Sequence, residues 1–285
     1  MNSPGIARSL DLEEKRLCIF GTGGFGRETL LIFIDCLKSQ GISSYADHVV
    51  FMVDDECYDE FQIMGVQVIR LSDFDVAKYK VIVAVGDPEV RRSIVEKLPL
   101  DTEYPVLVHP ASVLSDWVKL GEGTIVAAGV AVTCNIEFGR HTHLNLHTTV
   151  GHDCVLGDYF TSAPGVAISG NCTIGECVYF GSNASVRQGI SICSDVTIGM
   201  GGTVVKSINE SGVYVVTRLQ SCVELVTDAM VTQASFQLFS DVFVVVRLLS
   251  LPLCHIFGCN KTIQFGITPF LPGAVPVCQL LHYLN

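Results

Sequence analysis

From Leu114 to Val204 the chain carries an apolar residue at every sixth position. The series runs Leu114, Leu120, Val126, Val132, Phe138, Leu144, Val150, Leu156, Ser162, Ile168, Ile174, Phe180, Val186, Ile192, Ile198, Val204, and Ser162 alone breaks it. At seven of these positions a Gly follows directly. Helical packing needs a period near 3.6 and a simple strand a period of 2, so neither accounts for a strict six. A hexapeptide repeat does: three hexads form one triangular coil, and stacked coils form a parallel β-helix with the aliphatic column inside. Residues eighteen apart then stack on successive coils. The repeat starts near His109-Pro110, and the β-helix domain is placed at 109–215.

Upstream, over 15–108, the pattern changes to alternating strand and helix signals. Arg16–Phe20 reads as a short strand, Gly21–Gly26 as a glycine-rich turn and Arg27–Ser39 as a helix. Val49–Val53, Val66–Ile69 and Val81–Val85 read as further strands, and a helix follows Gly86-Asp87-Pro88 as far as about Lys97. This is the β-α-β order of a Rossmann-like parallel sheet. Residues 1–14 are polar and read as a disordered N-terminus.

The tail, 216–285, follows no period. Thirty-nine of its seventy residues are apolar and six are charged. Asp241, Arg247 and Pro252 interrupt or flank its longest apolar run, 242–259, and a span needs about twenty clean apolar residues, so no membrane segment is expected.

Composition narrows the chemistry. The net charge of −11 argues against nucleic acid as a partner, because a phosphate-binding surface needs clustered Lys and Arg. The twelve Cys show neither CxxC pairs nor a metal-ligand spacing and no secretory leader precedes them, which fits reduced thiols in the cytoplasm. Cys154 and Cys172 fall two positions before the aliphatic column, where a small buried side chain fits.

Three motifs carry candidate chemistry. Gly21-Thr22-Gly23-Gly24-Phe25-Gly26 joins a strand to a helix, where glycines let a backbone approach a diphosphate at the helix N-terminus. Asp54-Asp55 ends the next strand, where a ribose-binding carboxylate often lies. The pattern is not the full dinucleotide fingerprint, so a nucleotide-linked ligand is favoured over NAD. Gly151-His152-Asp153 lies at a coil corner, where side chains reach a neighbouring subunit of a trimer. There an imidazole can take a proton and the adjacent carboxylate can orient it. His147 gives a His-x4-His spacing like that of the trimeric β-helical carbonic anhydrases, but position 111, where a third zinc ligand is expected, is Ala. No metal is therefore expected. In the third motif, Ile198–Lys206, small residues can admit an extended ligand and Lys206 can meet a phosphate.

With these residues in hand, the chain resembles the sialic-acid O-acetyltransferase and bacillosamine/perosamine N-acetyltransferase family of hexapeptide-repeat sugar acyltransferases. The resemblance runs from residue 16 to about 215. It rests on Leu17–Glu28, Val85-Gly86-Asp87-Pro88 with Arg91, His109-Pro110, Asn145, Gly151-His152-Asp153-Cys154 and Gly157-Asp158-Tyr159. It implies a sheet domain holding a nucleotide-sugar and a left-handed β-helix that forms a homotrimer, with acetyl-CoA between neighbouring helices. The sugar's amino or hydroxyl group would attack the thioester, with His152 as general base, Asp153 as its acidic partner and coil amides stabilising the oxyanion. The acceptor it implies would be a nucleotide-activated amino sugar or a sialic acid. Gly21, Gly23, Gly24, Gly26, Asp54 and Asn145 are assigned to substrate, and Thr161, Gly181, Gly199, Gly201, Gly202 and Lys206 to acetyl-CoA. The competing readings are a catalytically dead trimeric scaffold and a zinc-dependent lyase of the carbonic anhydrase type.

Two departures from the family stand out. Many relatives carry a His at the position of Thr161, lining the acetyl-transfer site; His143, one coil below, is a candidate substitute. Relatives also close with a segment like Val-Gly-Asn-Pro-Ala, where this chain has Val215-Val216-Thr217-Arg218-Leu219-Gln220. One possible coding sequence, GTT GTA ACC CGG CTG CAA, becomes GTT GGT AAC CCG GCT GCA when one G is inserted after the fourth base. That reads Val-Gly-Asn-Pro-Ala-Ala. Residues 216–285 are therefore expected to be an out-of-frame translation, which also explains their loss of charge and period.

Overall fold

The structure is a computed structural model that describes residues 15–59 and 62–216. The expectations for 1–14 and, apart from Val216, for the apolar tail lie outside the described residues.

The N-terminal part is a five-stranded sheet, with β1 Arg16–Phe20, β2 Val49–Val53, β3 Gln62–Ile63, β4 Val66–Arg70 and β5 Tyr79–Val83 in the order β3-β4-β2-β1-β5. All pairings are parallel except β3 with β4, which close a hairpin over Met64-Gly65. Both turn residues have positive φ (49° and 76°), the geometry that matches the twist of a two-residue hairpin. Sequence patterning did not single out this hairpin.

Helix α1, Gly24–Ser39, lies on one face of the sheet and α2, Pro88–Lys97, on the other. Leu30, Phe33 and Leu37 of α1 pack on Leu17, Ile19, Val49 and Phe51, while Ile94 with Leu98 packs on Cys18, Phe20, Met52 and Val83. Each fully buried side chain of this kind contributes roughly 1.5–3 kcal/mol. α1 starts three residues before the expected Arg27, because Gly23 serves as N-cap and the glycine-rich segment already winds into the first turn.

From Leu107 onward the chain forms a parallel β-solenoid of two- and three-residue strands on three faces. The first face has seven strands, from Leu107–Val108 through His143–Leu144 and Thr161–Ser162 to Gly212–Tyr214; the second has six, from Val113–Leu114 to Thr203–Val204; the third has five, from Val118–Lys119 to Ser191–Ile192. Strands eighteen residues apart pair directly, as in His143 with Thr161 and Thr149 with Ala167. The aliphatic column is the core, joined by a second buried column two positions earlier that holds Val130, Cys154, Phe160, Val166, Cys172 and Val178. Both cysteines therefore pack as expected.

The corners share one backbone device. From Gly123 to Gly201 every sixth residue has positive φ, whether Gly or one of Asn135, His141, His147, Asp153, Tyr159, Asn171, Cys177, Asn183 and Asp195. Asn and Asp tolerate this conformation best among residues with a side chain. Glycine after the aliphatic position answers a different need: a Cβ at Gly181 would lie 2.5 Å from the Met200 amide of the next coil.

Ser162 is accommodated inside the solenoid by polar neighbours. Its hydroxyl lies 2.9 Å from Thr148 Oγ1, donates to the His143 carbonyl at 3.3 Å and accepts from the Asn145 amide at 3.3 Å. The break in the column is a buried, satisfied polar cluster beneath the 145–148 corner.

The sheet domain covers the solenoid's first face. Leu107, Ile125 and Ala127 belong to the same core as α1, and Phe25 contacts the His143 ring at 4.9 Å between centroids.

Candidate active site

His152 and Asp153 occupy the corner between the second and third faces, as the hexad count requires. The His152 ring is half-exposed, and its Nδ1 lies 2.7 Å from Asp153 Oδ2. An ionised carboxylate only accepts, so Nδ1 carries the hydrogen and Nε2 is left as the basic nitrogen. Asp153 is held in turn by Asn135 one coil below, whose Nδ2 donates to Oδ1 at 3.1 Å. The hydrogen bonds from His152 and then Asn135 hold the Asp153 carboxyl below the usual carboxylate range. One coil above, Gly170 leaves room for the ring: a Cβ there would stand 2.7 Å from Nε2. Asn135 and Gly170 were not singled out from sequence, although adding or subtracting eighteen from the dyad points to both.

The sheet domain presents a second set of groups. The chain runs outward from β1 through β2 to β4, then returns to place β5 on the other side of β1. Ligands of open α/β sheets bind outside the carboxyl ends of the strands at such a switch point. Here its lips are Gly21–Gly24 after β1 and Ala84–Asp87 after β5. The four assigned glycines divide into two pairs. Gly21, at φ +108°, and Gly26, whose Cβ would strike the Gly21 carbonyl, serve the turn itself. Gly23 and Gly24 are exposed, and a Cβ on either would meet nothing within 4 Å. The first turn of α1 has no acidic side chain and no side-chain cap, so its amides and dipole are free for an anion. Asp54 follows β2, partly exposed and 3.5 Å from Lys97 Nζ, whereas Asp55 accepts from the Ser72 amide.

The acetyl-CoA set is not brought together as one cluster. Gly181, Gly199 and Gly202 are accounted for by packing, since a Cβ would meet Met200, Val215 and Ile198 respectively. They and Gly201 follow the corner column that also carries Asn145, between the first and second faces. Lys206 continues the column of His152 and Gly170, three coils beyond His152; at about 4.8 Å per coil this is ~14 Å along the edge. Gly202 and Lys206 also line an open cleft at the end of the solenoid with Ile198, Val204 and Tyr214.

Thr161 does not belong with them. It is 5% exposed, its hydroxyl donates to the Gly86 carbonyl at 3.1 Å, and it accepts from Arg91 Nη2 at 2.8 Å. Both sides of the hydroxyl are used inside the joint between the domains, so Thr161 serves that joint and not acetyl-CoA. His143 is likewise no substitute base, being buried under Phe25, with burial and then the nearby Arg91 charge pushing its pKa well down. His147 stands one corner before His152, at the other end of the second face. Among the described residues one three-ligand cluster occurs, Glu89, Cys177 and Asp195, and Arg92 stands beside it, 3.8 Å from Glu89.

Comparison with known proteins accounts for this combination of elements. Residues 16–98 match the PglD N-terminal domain family. Over 176 residues the chain is 35% identical to the GDP-perosamine N-acetyltransferase of Escherichia coli O157:H7, covering 60% of this chain and 78% of that protein. The chain belongs to this family of sugar acetyltransferases. Solved structures with the same fold include the acetyltransferase domain of PglB from Neisseria gonorrhoeae FA1090, known also in complex with acetyl coenzyme A. It has a TM-score of 0.64 and 28% identity, covering 71% of this chain and 97% of that one. PerB from Caulobacter crescentus, in complex with CoA and GDP-perosamine, has a TM-score of 0.60 and 28% identity, covering 70% of this chain and 94% of its own. Among these related structures, complexes with acetyl coenzyme A and with CoA and GDP-perosamine are thus known.

Proposed function

We propose that the protein transfers the acetyl group of acetyl-CoA to the amino group of a nucleotide-linked amino sugar, with His152 as the general base. The observation that carries this reading is the His152–Asp153 pair, oriented through Nδ1 with Nε2 left basic. The amine nitrogen attacks the thioester carbon as Nε2 takes its proton; the C–N bond forms, the C–S bond breaks, and the CoA thiolate leaves to be protonated. Asp153 stabilises the imidazolium in between. The diphosphate sits at the α1 N-terminus beside Gly23 and Gly24, with Asp54 near the ribose, and Lys206 meets a CoA phosphate. The relatives' nucleotide-amino-sugar and CoA ligands favour N-acetylation over the sialic acid alternative.

The same geometry supports a homotrimer as part of this proposal. The sheet domain covers the first face, while His152 stands at the opposite corner of its own coil. Each side of the coil is six residues, at most about 20 Å. A sugar on the sheet domain is therefore remote from its own His152, whereas Phe25, at the α1 N-terminus, packs on His143, two residues from Asn145. Packing the second faces around a threefold axis sets the edge carrying Asn145 against His152 of the partner subunit. The outward residues of this face are small or aliphatic: Val113, Ala131, Thr149, Ala167, Ser185 and Thr203. Acetyl-CoA then lies in the groove between two chains. The metabolites and the eight free cysteines among the described residues suit a reducing cytoplasm; no helix among the described residues is long and apolar enough to cross a membrane.

The out-of-frame reading of 216–285 is part of the proposal. It is supported by the match in which 97% of the PglB domain is covered by 71% of this chain. Resequencing the coding region tests it, and an intact frame through Val216 would sink it. The activity is tested by incubating the protein with acetyl-CoA and a panel of nucleotide amino sugars and weighing the products. An acetylated sugar nucleotide is expected; none from any acceptor refutes the assignment.

A further inference from the structure

Arg91 is the largest fully buried side chain among the described residues, and every hydrogen bond it makes ends on a neutral oxygen. Nη1 donates to the carbonyls of Val85 at 2.7 Å and Gly86 at 3.2 Å, on the lip after β5. Nε donates to the His141 carbonyl at 3.0 Å. Nη2 donates to the Tyr159 carbonyl at 2.8 Å, to Thr161 Oγ1 at 2.8 Å and, more weakly, to the Phe160 carbonyl at 3.4 Å. Thr161 completes the ring by donating to the same Gly86 carbonyl.

The two ends of this array belong to different machines. Val85 and Gly86 form one wall of the crevice read as the nucleotide-sugar site. His141 and Tyr159 are corner residues of successive coils with positive φ, and their carbonyls stand outside the β-ladder. Covering the first face with the sheet domain would strand those carbonyls away from water, and a buried acceptor without a donor costs about 1–3 kcal/mol. One planar guanidinium with five donors satisfies both and grips the lip; the ammonium of Lys lacks that fork.

We infer that Arg91, with Thr161 as its partner, is a positioning residue for acetyl transfer: it pins the 84–87 lip of the sugar crevice to the solenoid and so fixes where the acceptor sugar is presented. The inference rests on the nucleotide-sugar reading above. Burial brings the guanidinium pKa down to about 9, as expected for a cation held by dipoles rather than by a carboxylate. Attachment of the sheet domain does not depend on Arg91 alone, because α1 shares a core with Leu107, Ile125 and Ala127 and Phe25 packs on His143. Loss of Arg91 therefore loosens the lip without releasing the domain.

Steady-state kinetics of R91K, R91M and T161V, each beside wild type with both substrates varied, tests this. For R91M and R91K the KM for the nucleotide sugar should rise about tenfold or more with a fall in kcat, while the KM for acetyl-CoA stays unchanged. T161V should shift the same KM by less. Should R91M not fold, R91K and T161V carry the test. Sugar KM values unchanged in folded variants, or both KM values rising together, would overturn the inference and leave Arg91 a brace. Wild type inactive toward every nucleotide amino sugar marks failure of the functional reading itself, and the inference falls with it.

Discussion

The role proposed for His152 rests on neighbours in the adjacent coils, Asn135 below and Gly170 above. H152A should lower the transfer rate by about 10²–10⁴, the range for losing a general base. N135A removes the donor that holds Asp153 and should lower kcat less than H152A does, with substrate KM values retained; unchanged kcat would remove Asn135 from the relay. Inside the solenoid, S162V takes away the partner of Thr148 Oγ1 and should cost about 1–3 kcal/mol by denaturant unfolding. The double variant T148V/S162V should recover part of that loss, because it leaves no orphaned hydroxyl. The dyad was legible from the chain because the hexad count gives a residue's corner outright. Thr161 was not: the count puts its side chain on an outward face, and only the folded sheet domain shows that this face is buried. The part played by Arg91 was hidden for the same reason, since contacts between domains leave no trace in a six-residue period.

At the level of elements, the corner column beneath the sheet domain sets a pH response. His141 is buried between the rings of Tyr159, 5.3 Å away and nearly parallel, and Tyr104. Burial, reinforced by Arg91 and Arg140, lowers its pKa to about 4, and His143 is lowered in the same direction. Both are neutral when folded, whereas in the unfolded chain they titrate near 6.5. Unfolding therefore takes up protons, and stability that is complete above about pH 6.5 declines as the pH falls toward 4. Each such group contributes a slope of about 1.4 kcal/mol per pH unit in that window. Denaturant midpoints between pH 7 and 4.5 should fall steadily; a flat profile would contradict the burial of both rings. The strands of the sheet domain were legible from their apolar runs, while the β3–β4 hairpin was missed because Gln62–Ile63 is too short to show alternation.

At the scale of the molecule, the proposal needs two chains for each site. Gly24→Val should fold, because nothing crowds a Cβ there, yet fill the anion position at the α1 N-terminus. Mixing G24V chains with H152A chains, each inactive alone, should restore part of the activity, because some mixed trimers join an intact crevice to an intact His152. No recovery in demonstrably mixed oligomers would place both halves of the site in one chain. The solenoid and the order of domains were readable at this scale from periodicity, whereas the covering of the first face became evident only in the fold. The most direct test of the whole account is the release of free CoA thiol from acetyl-CoA by wild type and H152A, with and without a nucleotide amino sugar. The account predicts rapid release by wild type only when the sugar is present, and a rate at least about a hundredfold lower for H152A. Equal release by the two proteins in the presence of the sugar would contradict it.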